Sequence, residues 1–245
     1  MGLNNAMADT LVFDIETAPL PDAADFIEPV EPPANYKDPE KIAAYVREKQ
    51  AEQLERAALD VDLCQVVSIA VGYDIAPHRD DILVALQRDA GEAAMLQWFW
   101  DKVGDGAHLV GFNVIAFDLP VLVRRSQYLG VRVPDLVLDT YRHPRVTDLA
   151  QVLSYNGRLR LRKLSFYARR FGLPATADTI TGADIGAAFA RGDWQAIITH
   201  VVSDVQTTAY LAQRLGVRPV PTFAGALQRR HERQPLTLLD PQVVS

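Results

Sequence analysis

Four carboxylates spread over three distant segments carry most of the chemical information in this chain. They are Asp14 and Glu16 in Leu11-Val12-Phe13-Asp14-Ile15-Glu16-Thr17, Asp118 in Gly111-Phe112-Asn113-Val114-Ile115-Ala116-Phe117-Asp118, and Asp204 in His200-Val201-Val202-Ser203-Asp204. Each segment is apolar enough to be buried, and a buried carboxylate is costly unless it is paired or bound to metal. Brought together, four such groups would make an oxygen-rich cage suited to hard divalent cations, Mg²⁺ or Mn²⁺.

The local setting of each acid sharpens this reading. Asp14 and Glu16 lie two apart, so on a strand both side chains point to one face and can share an ion. Asp38-Pro39-Glu40 repeats the spacing, but its proline opens a helix, and it reads as a first-turn acid cluster. Asp118 precedes Leu119-Pro120 and a helical pattern, so an N-cap role competes with a ligand role without excluding it. His200 and Asp204 are four apart in a helical segment, one turn from each other on one face. A surface pair or a core histidine satisfied by a carboxylate is the alternative there. His143 and Asp148 form a competing pair that Pro144 makes a poorer candidate, and His78, His108 and His231 lack partners at metal spacing. Asn113 ends an apolar strand at the side where open α/β sheets bind ligands. Phe117 reads either as a ring that stacks on a base or as a plain core aromatic.

The elements that must position these groups follow from periodicity. Residues 10–15 read as a short buried strand, followed by a Pro-rich irregular loop and a charged amphipathic helix over 40–58. Strands are expected at 65–73, 81–86 and 108–112, with helices at 92–103 and 119–129. Beyond that the pattern turns helical, at 149–153, 164–171, 183–190 and 194–215, and from Val220 periodicity is lost. The expectation is one α/β domain, a mixed sheet flanked by helices.

Composition sets outer limits. The chain of 245 residues is 49% hydrophobic, enough for one large domain, and its single cysteine, Cys64, rules out an internal disulfide and suits a reducing compartment. The first residues lack a signal-peptide pattern and no run is long enough to span a membrane, so the cytoplasm is the expected location. A net charge of −6 argues against passive coating of nucleic acid, but not against an enzyme with a local positive path. Arg158-Leu159-Arg160-Leu161-Arg162-Lys163, Arg169-Arg170 and Arg229-Arg230-His231-Glu232-Arg233 are the candidates for that path, and each also reads as a solvated face.

In this order and context the segments resemble the DEDD superfamily of 3′–5′ exonucleases, and in particular bacterial proteins similar to the proofreading domain of family-B DNA polymerases. The resemblance spans about residues 10–215 and includes Leu138-Asp139-Thr140 and Asp204-Val205-Gln206-Thr207-Thr208. It implies a ribonuclease H-like fold, with an exonuclease domain over 8–216 that carries an insertion at about 19–60, and a C-terminal arm over 217–245. It implies that Asp14, Glu16 and Asp204 hold one divalent ion and that Asp14, with Asp118 largely through water, holds a second. Paired cations would then activate water and stabilise the leaving oxygen of an in-line displacement. The residue four before the last aspartate would orient and deprotonate the water, and Asn113, Phe117 and the Thr17 backbone would contact the terminal nucleotide.

This chain departs from the pattern at one position. The subgroup with this spacing usually carries tyrosine where His200 stands, whereas the histidine subgroup has one more residue before its aspartate. Imidazole titrates near neutrality and can act as a base directly, though it reaches less far than a phenol. The implied partner is a nucleic acid with a free 3′ end, single-stranded DNA or RNA. A catalytically weak nucleic-acid-binding protein and a phosphodiesterase of short oligonucleotides or dinucleotides are the alternatives.

Overall fold

The computed structural model of the chain describes residues 10–73, 75, 81–136, 143–176, 178 and 180–217. Leu138-Asp139-Thr140, His78 and the Arg229 cluster lie outside the described residues, as does the C-terminal stretch from 218.

A five-stranded sheet runs in the order β3-β2-β1-β4-β5. Its strands are β1 (Thr10–Pro19), β2 (Cys64–Tyr73), β3 (Ile82–Leu86), β4 (His108–Gly111) and β5 (Val146–Asp148). The first three pair antiparallel, and β4 and β5 add in parallel, so the sheet is mixed. Helices α1 (Pro39–Ala57), α2 (Gln87–Ala90), α3 (Glu92–Val103), α4 (Asp118–Tyr128), α5 (Leu149–Ser154), α6 (Leu164–Arg170), α7 (Ile185–Arg191) and α8 (Trp194–Arg214) complete it. Among the described residues no helix is long and apolar enough to cross a membrane.

β1 sits at the centre and is covered on both faces, which explains its near-continuous apolar run. Its odd-numbered residues Leu11, Phe13 and Ile15 enter one core with Met95, Leu96 and Phe99 of α3 and Leu119 and Leu122 of α4. Val12 faces the other way, into a second core with Val201, Val202 and Val205 of α8. Asp14 and Glu16 follow Val12 with the two-residue period of a strand, so the side of the sheet that receives α8 also receives these acids.

Two expectations change. β1 runs on to Pro19, past the apolar stretch, because its backbone keeps pairing with β2 down to Cys64 across an irregularity between Glu16 and Thr17. β5 is a strand that periodicity does not reveal, being three residues long, yet it extends the sheet beside β4. Asp38 caps α1 by accepting the Glu40 N–H at 3.0 Å, with Pro39 at the first helical position, so that Asp-Pro-Glu segment is a helix start.

Candidate active site

Asp14, Glu16, Asp118, His200 and Asp204 all line one cleft of ≈ 640 Å³, together with Asn113 and Phe117. β1 supplies the first two acids from the sheet centre, α4 supplies Asp118 from its first residue, and α8 supplies Asp204 and His200 from one face. Asp118 is not the N-cap of α4. Phe117 occupies that position and Asp118 is the first helical residue, 5% exposed, with its carboxylate near the helix N-terminus.

The electrostatics show that the four acids converge. Burial is the main force lifting the Asp14 carboxyl well above the usual range, and the charges of Asp118, Asp204 and Glu16 push it further. Burial likewise raises Glu16 well above normal, helped by Asp204, Asp118 and Asp178. Asp118 is pushed up to about 7 by burial and by Asp148 and Asp204, although hydrogen bonds from its own backbone N–H and that of Ile15 pull the other way. Asp204 rises to about 6, burial outweighing the favourable influence of His200. Among the described residues no lysine or arginine forms an ion pair with any of the four. An all-oxygen donor set in which Glu16 and Asp118 are buried and Asp14 and Asp204 half-buried, with no lysine or arginine paired to it among the described residues, fits a hard divalent cation.

His200 is 7% exposed and held between two acids. Its Nδ1 lies 2.8 Å from Asp178 Oδ2 and its Nε2 lies 3.6 Å from Glu16 Oε1. An ionised Asp178 accepts from Nδ1–H, and in that arrangement Nε2 faces Glu16 without a proton. Asp178, His200 and Asp204 each place a ligand atom within 4.8 Å of the others. Asp178 escaped sequence reasoning because it sits in an irregular segment, 22 residues before His200, with no periodic pattern to mark it.

Asp148, which the sequence offered only as a partner for His143, has a different role. Its buried carboxylate caps α5 by accepting the Ala150 N–H at 2.9 Å, and it also accepts the N–H groups of Asn113 at 2.8 Å and Ile115 at 3.1 Å. It therefore ties down the turn that leads from β4 to Asp118, in which Asn113 adopts a left-handed φ of 65°. His143 does not pair with Asp148. Its ring nitrogens meet the Val146 carbonyl and the Gln151 side chain instead. His108 reaches Thr147 Oγ1.

Thr17 does not line this cleft. Its hydroxyl donates to the Ala58 carbonyl at 2.6 Å, and the residue faces a neighbouring groove beyond the strand irregularity. Gly111, at the end of β4, has no room for a side chain, since a Cβ would lie 2.1 Å from Val114 Cγ1. Val114 is fully buried and cannot retreat. Gly111→Ala is therefore expected to cost about 1–3 kcal/mol by overpacking and to lower the melting temperature measured by circular dichroism. An unchanged melting temperature would show that the turn before Asp118 yields freely.

Residues 57–218 match a family model described as a predicted 3′–5′ exonuclease related to the exonuclease domain of PolB. The chain belongs to that family. The matched span contains Asp118, His200 and Asp204, while Asp14 and Glu16 precede it and are brought in by the central position of β1. The fold is the ribonuclease H-like one, shared with the family B DNA polymerase of the hyperthermophilic archaeon Pyrobaculum calidifontis. That structure superposes with a TM-score of 0.55 over 85% of this chain at 19% identity. The chain spans 24% of the polymerase's length. No curated protein sequence matches this exonuclease-family chain.

Proposed function

We propose that this chain is a 3′–5′ exonuclease that releases nucleoside 5′-monophosphates from the ends of single-stranded DNA or RNA, using two divalent cations, Mg²⁺ or Mn²⁺. The observation that carries the reading is the convergence of Asp14, Glu16, Asp118 and Asp204 on one cleft, with no lysine or arginine among the described residues paired to them. In this reading Asp14, Glu16 and Asp204 hold one ion, and Asp14 with Asp118 holds the other. When bound, such a pair supplies Lewis acidity and neutralises charge on the oxygens of an in-line phosphoryl displacement.

The chain's own residues do the rest. Asp178 fixes the His200 ring through Nδ1–H, leaving the Nε2 lone pair to take a proton from the attacking water. The water oxygen bonds to phosphorus while the bond from phosphorus to the preceding nucleotide's O3′ breaks, so the departing nucleotide keeps its 5′ phosphate. Asn113 and Phe117, on the cleft wall, contact that terminal nucleotide, Phe117 by stacking on its base.

Incubation with 3′-labelled and 5′-labelled oligonucleotides and Mn²⁺ tests the reading. The expected result is immediate release of the 3′ label as mononucleotide, stepwise shortening of the 5′-labelled strand, and full inhibition by EDTA. The absence of any metal-dependent loss of 3′ nucleotides would overturn it.

A further inference from the structure

From Leu149 to Ala177 the sequence contains no acid, yet residues 158–170 hold Arg158, Arg160, Arg162, Lys163, Arg169 and Arg170 in a chain of net charge −6. All six are exposed, and among the described residues none forms an ion pair. Arg162, Lys163, Phe166, Arg169 and Arg170 line a groove of ≈ 560 Å³. Arg162, Lys163 and Ser165 also line the carboxylate cleft, so the two are continuous.

Helix stability explains only part of this strip. Arg169 and Arg170 lie in the last turn of α6, where the helix dipole favours cations. Lys163 is the N-cap of that helix and makes no capping hydrogen bond, and Arg162 precedes it. Positive charge is disfavoured at that end, so these two are not there for the helix. Phe166 is 43% exposed, with the Arg162 guanidinium 5.5 Å from its ring centre. Beneath them Leu164 and Tyr167 pack into the core shared with α8, and Tyr167 meets Phe112 of the second motif, so the strip is anchored to the cleft. Cations beside an exposed aromatic are the chemistry that grips phosphates and stacks bases of a single strand. The larger groove that also borders Glu16 mixes Glu52 and Glu55 with Arg56 and Lys163, so it offers phosphates no continuous positive path.

We propose that Arg162, Lys163, Phe166, Arg169 and Arg170 form a track for a single-stranded nucleic acid, holding the phosphates and bases upstream of the nucleotide in the carboxylate cleft. The inference deepens the exonuclease reading and rests on it for the polarity of the strand. It also sets the substrate class as strands of several nucleotides rather than dinucleotides, since Arg169 and Arg170 line the adjoining groove and not the cleft itself.

The test is binding of a fluorescent single-stranded oligonucleotide of about 8–12 nucleotides, in EDTA, followed by anisotropy over about 50 to 200 mM salt. Replacing both Arg169→Ala and Arg170→Ala is expected to weaken binding roughly 10- to 100-fold at the lowest salt. The same pair should flatten the slope of log affinity against log salt by about 1.4, the value for two lost phosphate contacts on a single strand. Arg169→Lys with Arg170→Lys should bind like wild type, and Phe166→Ala should weaken binding at least about fivefold with the slope unchanged. Affinity and slope untouched by the alanine pair would overturn the track while leaving exonuclease activity to stand. Salt-sensitive binding lost in that pair, in a protein whose wild type degrades no 3′ end, would keep the track and remove the exonuclease. A poly-glutamate peptide of equal charge binding as tightly as the oligonucleotide, with Phe166→Ala neutral, would reassign the strip to an acidic protein partner and overturn the proposal.

Discussion

Asp14→Asn is expected to abolish measurable 3′ digestion and, in the same protein, to raise the melting temperature of the metal-free form at pH 8. Both effects have one cause. Asp14 lies among Asp118, Asp204 and Glu16, each of which makes its ionised form harder to keep. Holding these carboxylates charged without metal destabilises the fold. Asp118 at about 7 and Asp204 at about 6, against an ordinary 3.8, bind protons in the folded state that the unfolded chain has already lost. Stability of the metal-free protein therefore falls as pH rises from about 4 to about 7, and the whole penalty is present above that window.

A shift of one pKa unit corresponds to about 1.4 kcal/mol, so the part of the penalty that these two groups acquire between pH 5 and pH 8 amounts to about 4 kcal/mol. For a domain of this size each kcal/mol moves the melting temperature by about 2–4 °C. Differential scanning fluorimetry in EDTA should then show wild type losing roughly 8–16 °C between pH 5 and pH 8. Mg²⁺ or Mn²⁺ should restore most of that loss, and Asn at position 14 should diminish both the loss and the rescue. A wild type equally stable at both pH values, and indifferent to metal, would contradict a charged cage around Asp14.

His200→Ala should slow turnover by about 10²–10⁴-fold, the usual range for a positioned acid–base group, with little change in KM. Asp178→Asn should cost less, roughly 10- to 100-fold, as expected of a partner that orients another group. The asparagine can present its N–H to Nδ1 and so favour the tautomer whose proton sits on Nε2, turned toward Glu16 and unable to accept. Steady-state kinetics on a 3′-labelled strand checks both. An unchanged rate for His200→Ala would remove the imidazole from the mechanism, and a full rate for Asp178→Asn would reduce the 2.8 Å contact to a structural one.

The parts of this site that could be read from sequence are those that local geometry encodes. Asp14 and Glu16 announce themselves because a period of two inside an apolar strand leaves both on one face, and β1 keeps that face toward α8. His200 and Asp204 follow from helical spacing, and α8 carries both into the cleft. Asp118 was ambiguous because an N-terminal helical acid serves capping and ligation equally well, and only the backbone shows that Phe117 is the cap.

Asp178 and Asp148 belong to another class. One reaches His200 from an irregular segment, and the other reaches Asn113 and Ile115 from 35 and 33 residues away. No spacing rule links such pairs, since their meeting depends on where the loops cross once β4, β5 and α8 have packed. The basic strip was visible in the sequence as a candidate positive path, but its place beside the carboxylate cleft was not. By itself the sequence determined which acids share a face and which elements carry them. Only the tertiary structure decided that three separate faces open on one cleft, that Asp178 holds the imidazole, and that Arg162 and Lys163 border the same opening. Periodicity constrains a side chain's direction within its own element, whereas the meeting of elements is set by packing across the whole sheet.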